Sequence, residues 1–228
     1  MRLNVYIAQA TGIGRRAADQ LIMGGQVRVN NILPTAGYKV EASDVVTLRN
    51  KQIYIPSDTQ TILMHKPTGY VVSRNGQGSK TIYELLPEEL HHLKPIGRLD
   101  KDSSGLLLLT NDGQLAEQLT HPRYEKQKRY VITLKSPLQP LHHQMIHDHG
   151  IMLADGLSCL SLEPLKTSRK EWQVIMKEGR NRQIRRTFEA LGYQVIHLHR
   201  TEFGSYRLGS LAPGKFRALT PTKNESSV

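Results

Sequence analysis

The chain has 228 residues, 38% of them hydrophobic, and sets 31 Lys and Arg against 20 Asp and Glu, a formal charge of +11. No stretch approaches the roughly 20 apolar residues of a membrane span, and MRLNVYIAQATG lacks the apolar core and cleavage site of a signal peptide, so a cytoplasmic location is expected. A single cysteine, Cys159, excludes an internal disulfide and a cysteine-based zinc site, and is expected to be a small buried hydrophobe.

In chain order, Leu3, Ile7 and Ala10 form one helical stripe, TGIG breaks it, and Ala17, Leu21 and Ile22 form a second that Gly24 and Gly25 stop. QVRVN and a run ending in VVTL read as short strands, with Asn30 and Asn31 supplying a tight turn of positive φ between extended segments. Residues 1–48 are thus expected to pack two helices on a little β structure. Arg15 and Arg16 open the second helix, and Arg2, Arg28 and Lys39 add to them. If these side chains converge they offer phosphates a basic face; apart, they are an ordinary solvated surface. The net charge is equally open, fitting a polyanionic partner such as nucleic acid or solubility alone.

RNKQIYIPSDT, residues 49–59, mixes charge, polar residues and proline, and is expected to be a linker. Residues 60–222 alternate β-rich runs (TILMHK, RYVITL, EWQVIM) with helical candidates (IYELLPEEL, RQIRRTFEAL), which predicts an α+β fold on a mixed or mostly antiparallel sheet. No glycine-rich fingerprint joins a strand to a helix, so ATP and NAD are not expected as cofactors. The polar residues 223–228 are expected to fray. Trp172 reads as core, and the ten histidines, in no metal-ligand spacing, read as surface or hydrogen-bonded residues.

Residues 97–113, GRLDKDSSGLLLLTNDG, raise a sharper question, because two aspartates stand two apart in a basic chain. Asp100 and Asp102 beside Ser103, Ser104 and Gly105 could build a turn. They could share a face and bind magnesium, although no third acid stands near. Alternatively, one could be a nucleophile or general base in a pocket wrapped around RNA. HPRYEKQKRY and KEGRNRQIRR, basic with aromatic or apolar interleaving, would suit that last reading, though alone each would more often be a solvated face.

Together these segments carry a resemblance. RLNVYIAQATGIGRRAADQLIMGGQVRVNN resembles the RNA-binding domain named after ribosomal protein S-four, with Asn30-Asn31 where that family usually has Asn-Gly. MHKPTGY, GRLDKDSSGLLLLTNDG, KRYVITL and EGRNRQIRRTFEALG follow the order and spacing of RsuA-type ribosomal RNA pseudouridine synthases, through essentially the whole chain. The resemblance implies an isomerase acting on ribosomal RNA, alone or in a pre-ribosomal particle, without metal or cofactor; a monomer is expected. By position, Asp100 is the catalytic carboxylate, Tyr130 stacks on the base, Arg185 pairs with the carboxylate, and Ile184 walls the base. Arg98, Lys128 and Arg182 count as substrate-binding, as does Lys66, which with Pro67 and Gly69 is expected mainly to support the site. Asp102 is expected to shape the loop. The EGRNRQIRR form resembles the large-subunit enzymes more than the small-subunit ones. Two other functions are weighed: a non-catalytic ribosomal RNA binder or assembly factor of the same fold, and metal-dependent RNA cleavage at Asp100 and Asp102.

Overall fold

The computed structural model describes residues 1–56 and 58–219, so the segment 223–228 lies outside the described residues. The chain divides into two compact units, Met1–Gln60 with Asn111–Gly113, and Thr61–Thr110 with the described residues from Gln114 on.

In the first unit, helix α1 (Leu3–Thr11) buries Leu3, Ile7 and Ala8 and ends at Gly12, whose φ of 77° no side chain adopts cheaply. Helix α2 (Arg15–Met23) buries Ala18, with Leu21 and Ile22 packed beside it. The α2 stripe therefore begins one residue later than expected, because Ala18, Leu21 and Ile22 follow the i, i+3, i+4 spacing and Ala17 faces solvent. Strands β1 (Val27–Val29), β2 (Val46–Leu48) and β3 (Lys51–Gln52) complete the unit as an antiparallel sheet. Asn30 and Asn31 adopt φ of 51° and 66° and turn Val29 back onto Ile32, as expected of an Asn pair. Arg49 and Asn50, at φ of 49° and 64°, make a second such turn between β2 and β3. The first residues of the segment expected as linker thus belong to this sheet, because the turn returns Lys51 and Gln52 to pair with β2.

The second unit is built on a nine-stranded sheet in the order β10-β11-β7-β12-β6-β4-β14, where β5 also pairs with β6 and β13 with β12. Its strands are β4 (Thr61–Lys66), β5 (Lys94–Pro95), β6 (Ser104–Thr110), β7 (Lys128–Leu134), β10 (Ser161–Pro164), β11 (Glu171–Met176), β12 (Val195–Phe203), β13 (Tyr206–Arg207) and β14 (Phe216–Leu219). A small hairpin of β8 (Ile151–Leu153) and β9 (Gly156–Ser158) lies outside that sheet. Helices α3 (Gly113–Thr120), α4 (Pro140–Gln144) and α5 (Gln183–Glu189) accompany the strands. The β12–β6 pairing is parallel and the others are antiparallel, so the sheet is mixed and mostly antiparallel, as expected.

The four leucines lie in β6, and their lack of polar alternation has a simple cause. Leu107 and Leu109 enter the core on one face of the sheet, Leu106 and Leu108 the core on the other. A strand covered on both faces needs apolar residues at every position. IYELLPEEL forms two 3₁₀ turns, Ile82–Leu85 and Glu88–Leu90, instead of the expected helix. Pro87 lacks an N–H and forces Leu86 into an extended conformation (φ −114°, ψ 145°), which ends the first turn. Trp172 is core at 2% exposure. Cys159 is exposed, contrary to expectation, because the chain places Ser158 and Leu160 inward on either side of it. Among the described residues no helix is long and apolar enough to cross a membrane.

Candidate active site

A cleft of about 500 Å³ opens in the second unit, and Arg98, Asp100, Lys128, Tyr130, Arg182 and Ile184 are among the residues that line it. The sheet explains this gathering. Tyr130 on β7 stands opposite Arg200 on β12, and Arg200 lies level with Gly105 on β6, just after the loop that carries Asp100. Two strand spacings, about 10 Å, therefore separate the backbone of Tyr130 from the root of that loop. That is room for a flat ring and its sugar. Gly105 permits the parallel contact: a Cβ there would lie 2.2 Å from the carbonyl oxygen of Arg200, and its φ is 112°.

The loop of residues 97–103 is fixed from beneath by the KPTG segment. Lys66 is fully buried and its Nζ donates to the carbonyl oxygens of Pro67 (3.0 Å), Asp100 (2.9 Å) and Ser103 (2.7 Å). The N–H of Gly69, a residue with φ of 89°, donates to Lys101 O at 2.7 Å. Lys66 is absent from the cleft lining, which corrects its expected role as a substrate contact and leaves the supporting one. A buried ammonium satisfies three carbonyls that would otherwise lie unpaired under the loop.

Above the loop sit two arginines, Arg182 just before α5 and Arg185 in its first turn. Arg185, with 10% of its side chain exposed, reaches Val195 O at 2.6 Å through Nη1. Its Nη2 reaches Asp102 O at 3.0 Å, Ser103 Oγ at 3.4 Å and the Asp102 carboxylate at 3.2 Å. Arg182 spans both acids, its Nη1 lying 3.5 Å from Asp100 Oδ2 and 3.2 Å from Asp102 Oδ1. The guanidinium within ion-pair distance of Asp100 is therefore that of Arg182, a correction to the expected Asp100–Arg185 pair. Arg182 holds a left-handed conformation (φ 47°) just before α5, which turns its side chain back over the loop. No sequence signal marks that conformation. Asp102 is the common partner of both arginines and so does shape the loop.

Burial pushes the Lys66 ammonium down to about 8, against the opposing pull of Asp100 and Asp102. Burial also lowers Arg185, aided by Arg182 and opposed by Asp102 and Asp100, yet a guanidinium keeps its proton in any protein. The remaining expected residues divide clearly. Tyr130 and Ile184 are 7% and 4% exposed and line the cleft, with Ile184 carried by the first turn of α5. Arg2, Arg15, Arg16 and Arg28 belong to the first unit, are exposed, and form no ion pair among the described residues. Arg2 is bridged to Lys39, and Arg28 donates to Asn31 O at 3.3 Å. Among the described residues no group of three potential metal ligands occurs. Several histidines have partners: His65 bonds Leu211 O, His142 the Tyr193 hydroxyl and His199 the Ser104 hydroxyl.

Lys66 carries a testable sign. Its native value of about 8 lies below the ordinary 10.5, so between the two the unfolded chain binds more protons and stability rises with pH. The stability of the wild type relative to Lys66→Met is expected to rise by on the order of 3 kcal/mol across that window. Urea midpoints of both proteins on either side of it measure the change; a constant difference would mean that the ammonium titrates as in water.

Comparison with known proteins adds an independent line. The family model described as RNA pseudouridylate synthase matches residues 60–190, and that of the S4 domain matches residues 1–46. The ribosomal large subunit pseudouridine synthase B of Bacillus subtilis is 38% identical, over 96% of this chain and 92% of its own. The ribosomal small subunit pseudouridine synthase A of Vibrio cholerae is 35% identical, over 96% of each chain. A crystal structure of a pseudouridylate synthase superposes with a TM-score of 0.70 at 29% identity, covering 96% of both chains.

Proposed function

Since this chain belongs to the RNA pseudouridylate synthase family, a family of isomerases, we propose that it converts a particular uridine of ribosomal RNA to pseudouridine, with Asp100 as the catalytic carboxylate. The observation that carries the assignment is the placement of the Asp100 carboxylate in a cleft with Tyr130, Ile184 and the Arg182 guanidinium. The reading takes large-subunit RNA as the target, supported by the EGRNRQIRR segment and the 38% identity to a large-subunit relative. The S4 domain supports RNA binding by the first unit, where Arg2, Arg15, Arg16 and Arg28 supply unpaired charge.

The chemistry asks for what these residues offer. Pseudouridylation breaks the bond between ribose C1′ and ring N1, turns the uracil, joins C1′ to C5, and moves the C5 proton away while N1 gains one. Substrate and product are isomers, so nothing is consumed and no co-reactant enters the balance. The uridine must leave its stack to be reached, and a pocket walled by an aromatic ring and an aliphatic side chain receives a flipped base. Tyr130 and Ile184 form those walls. A carboxylate then either adds to C1′ or takes the proton from C2′, and both routes start from ionised Asp100. The Arg182 guanidinium lies within ion-pair distance of that carboxylate, at 3.5 Å. Arg98 and Lys128 flank the cleft as cations for the strand that enters it.

Incubating the purified protein with protein-free large- and small-subunit RNA and mapping pseudouridine tests the proposal. A new pseudouridine at one site of the large-subunit RNA is the expected result. Modification of small-subunit RNA alone would move the target, and tight binding with no product in either RNA would favour a binding or assembly factor.

A further inference from the structure

Arg200 is a different kind of arginine from those over the loop. It is 2% exposed in the middle of β12, and its Nε donates to Leu106 O at 2.8 Å. Its Nη2 is buried and has no hydrogen-bond partner. Among the described residues it forms no ion pair. It lines the same cleft as Asp100, and so does Lys128. Both cations sit on one aromatic ring: the Arg200 guanidinium is 5.0 Å and the Lys128 ammonium 5.3 Å from the centroid of Phe203. Lys128 also lacks an ion pair there, and its contacts to the carbonyls of Glu178, Lys126 and Lys177 are long, at 3.2, 3.4 and 3.4 Å.

Two positive charges sharing a desolvated corner repel each other, and burial followed by the Arg200 charge lowers Lys128 from its ordinary value. Of the carboxylates lining the cleft, Glu178 opposes that lowering of Lys128, yet among the described residues neither it nor Asp100 forms an ion pair with either cation. Glu178 is engaged by Arg180 and Gln183, and Asp100 by Arg182. An arginine cannot discharge itself, so a buried one without a counter-ion is costly unless an anion arrives with a ligand. The ring face of Phe203 offsets part of that cost without supplying a negative charge. Register places the pair beside the chemistry, since Arg200 stands opposite Tyr130 and level with Gly105. A bulge between Arg200 and Glu202 disrupts the strand there, the usual device for re-aiming a side chain.

The geometry points to a preformed phosphate subsite, made by Arg200 and Lys128 over Phe203, that takes one phosphodiester of the RNA strand next to the flipped nucleotide. The fork of the guanidinium and the point charge of the ammonium suit two different oxygens of one phosphate. The subsite fixes the sugar between it and the base pocket, and so sets which ribose meets Asp100. It rests on the reading of the cleft as an RNA isomerase site, and adds to it a positioning role for Arg200 that no motif of the sequence suggested.

Lys128→Met and Arg200→Gln provide the test, with a fluorescent single-stranded RNA of the modified segment as probe. Each variant is expected to bind about tenfold more weakly near physiological salt and to lower the slope of log affinity against log salt by about 0.7 to 0.9, one phosphate contact. Lys128→Met should also melt at or above the wild-type temperature in the absence of RNA, because a repelled, desolvated charge has gone. A merely structural lysine would lower it. Salt slopes equal to wild type in both variants overturn the subsite, even while the wild type makes pseudouridine. A wild type that makes none overturns the isomerase reading instead, and a lowered slope would still support a phosphate contact. Stabilisation of the wild type by inorganic phosphate, lost in Lys128→Met but with RNA slopes unchanged, would assign the corner to the free anion and overturn the RNA assignment.

Discussion

Asp100→Asn is expected to reduce pseudouridine formation by about a thousandfold or more while leaving RNA affinity within about threefold of wild type. The asparagine keeps the size of the side chain and removes its charge, so neither addition to C1′ nor removal of the C2′ proton has a base strong enough to begin. The fold has little reason to respond. The loop is held through backbone carbonyls, and the Lys66 contacts to Asp100 O and Ser103 O do not involve the side chain. Arg182 keeps Asp102 as its partner at 3.2 Å. The carboxylate of Asp100 is about one-third exposed, at 31%, so its pair with Arg182 contributes only a fraction of a kcal/mol to stability. Release of tritium from uridine labelled at C5, measured with RNA in excess, reads the chemistry directly. Wild-type turnover by the asparagine variant would remove Asp100 from the mechanism and return its loop to the turn-building reading.

How far the sequence exposes this site depends on the kind of information each residue carries. Local patterns were legible: the Asn30-Asn31 turn, the strand runs and the apolar helix faces are set by backbone sterics and burial, which act over a few residues. The four leucines carry no strand signal of their own, since burial on both faces erases the alternation that marks a strand. IYELLPEEL misled because its helical spacing is real, and only Pro87 and its effect on Leu86 break it. The motif residues of the cleft came from resemblance, and resemblance conveys position more faithfully than contact. It brought Asp100, Tyr130, Ile184 and Arg182 to one cleft, whereas Arg185, which is not among the lining residues, pairs with Asp102 and not with Asp100. Arg200 was invisible for another reason. The role proposed for it depends on a buried Nη2 with no hydrogen-bond partner and on the lack of a counter-ion among the described residues, properties of three dimensions that the string HLHR cannot display.

The two arginines should therefore fail in different ways when removed. Arg185→Ala takes away a side chain 10% exposed that binds Val195 O, Asp102 O, Ser103 Oγ and the Asp102 carboxylate together. Breaking a fully buried pair costs about 3 to 5 kcal/mol; with Asp102 half exposed, at 50%, about 2 kcal/mol is the reasonable share. That lowers the melting temperature by roughly 4 to 8 °C and turnover by about a hundredfold, as the loop loses its anchor to β12. Lysine should not restore either, because one ammonium cannot reach acceptors that the fork serves through two separate nitrogens. Arg182→Ala removes a side chain 45% exposed whose contact with Asp100 is a single one at 3.5 Å. It should leave melting within about 2 °C while still lowering turnover by about tenfold, and Arg182→Lys should recover part of that loss because a positive charge remains near Asp100. Melting curves and single-turnover rates of the four variants decide the matter. If Arg185→Ala melted like wild type and turned over more slowly than Arg182→Ala, Arg185 would be acting on the reaction directly, and the division of labour between anchor and counter-ion would be reversed.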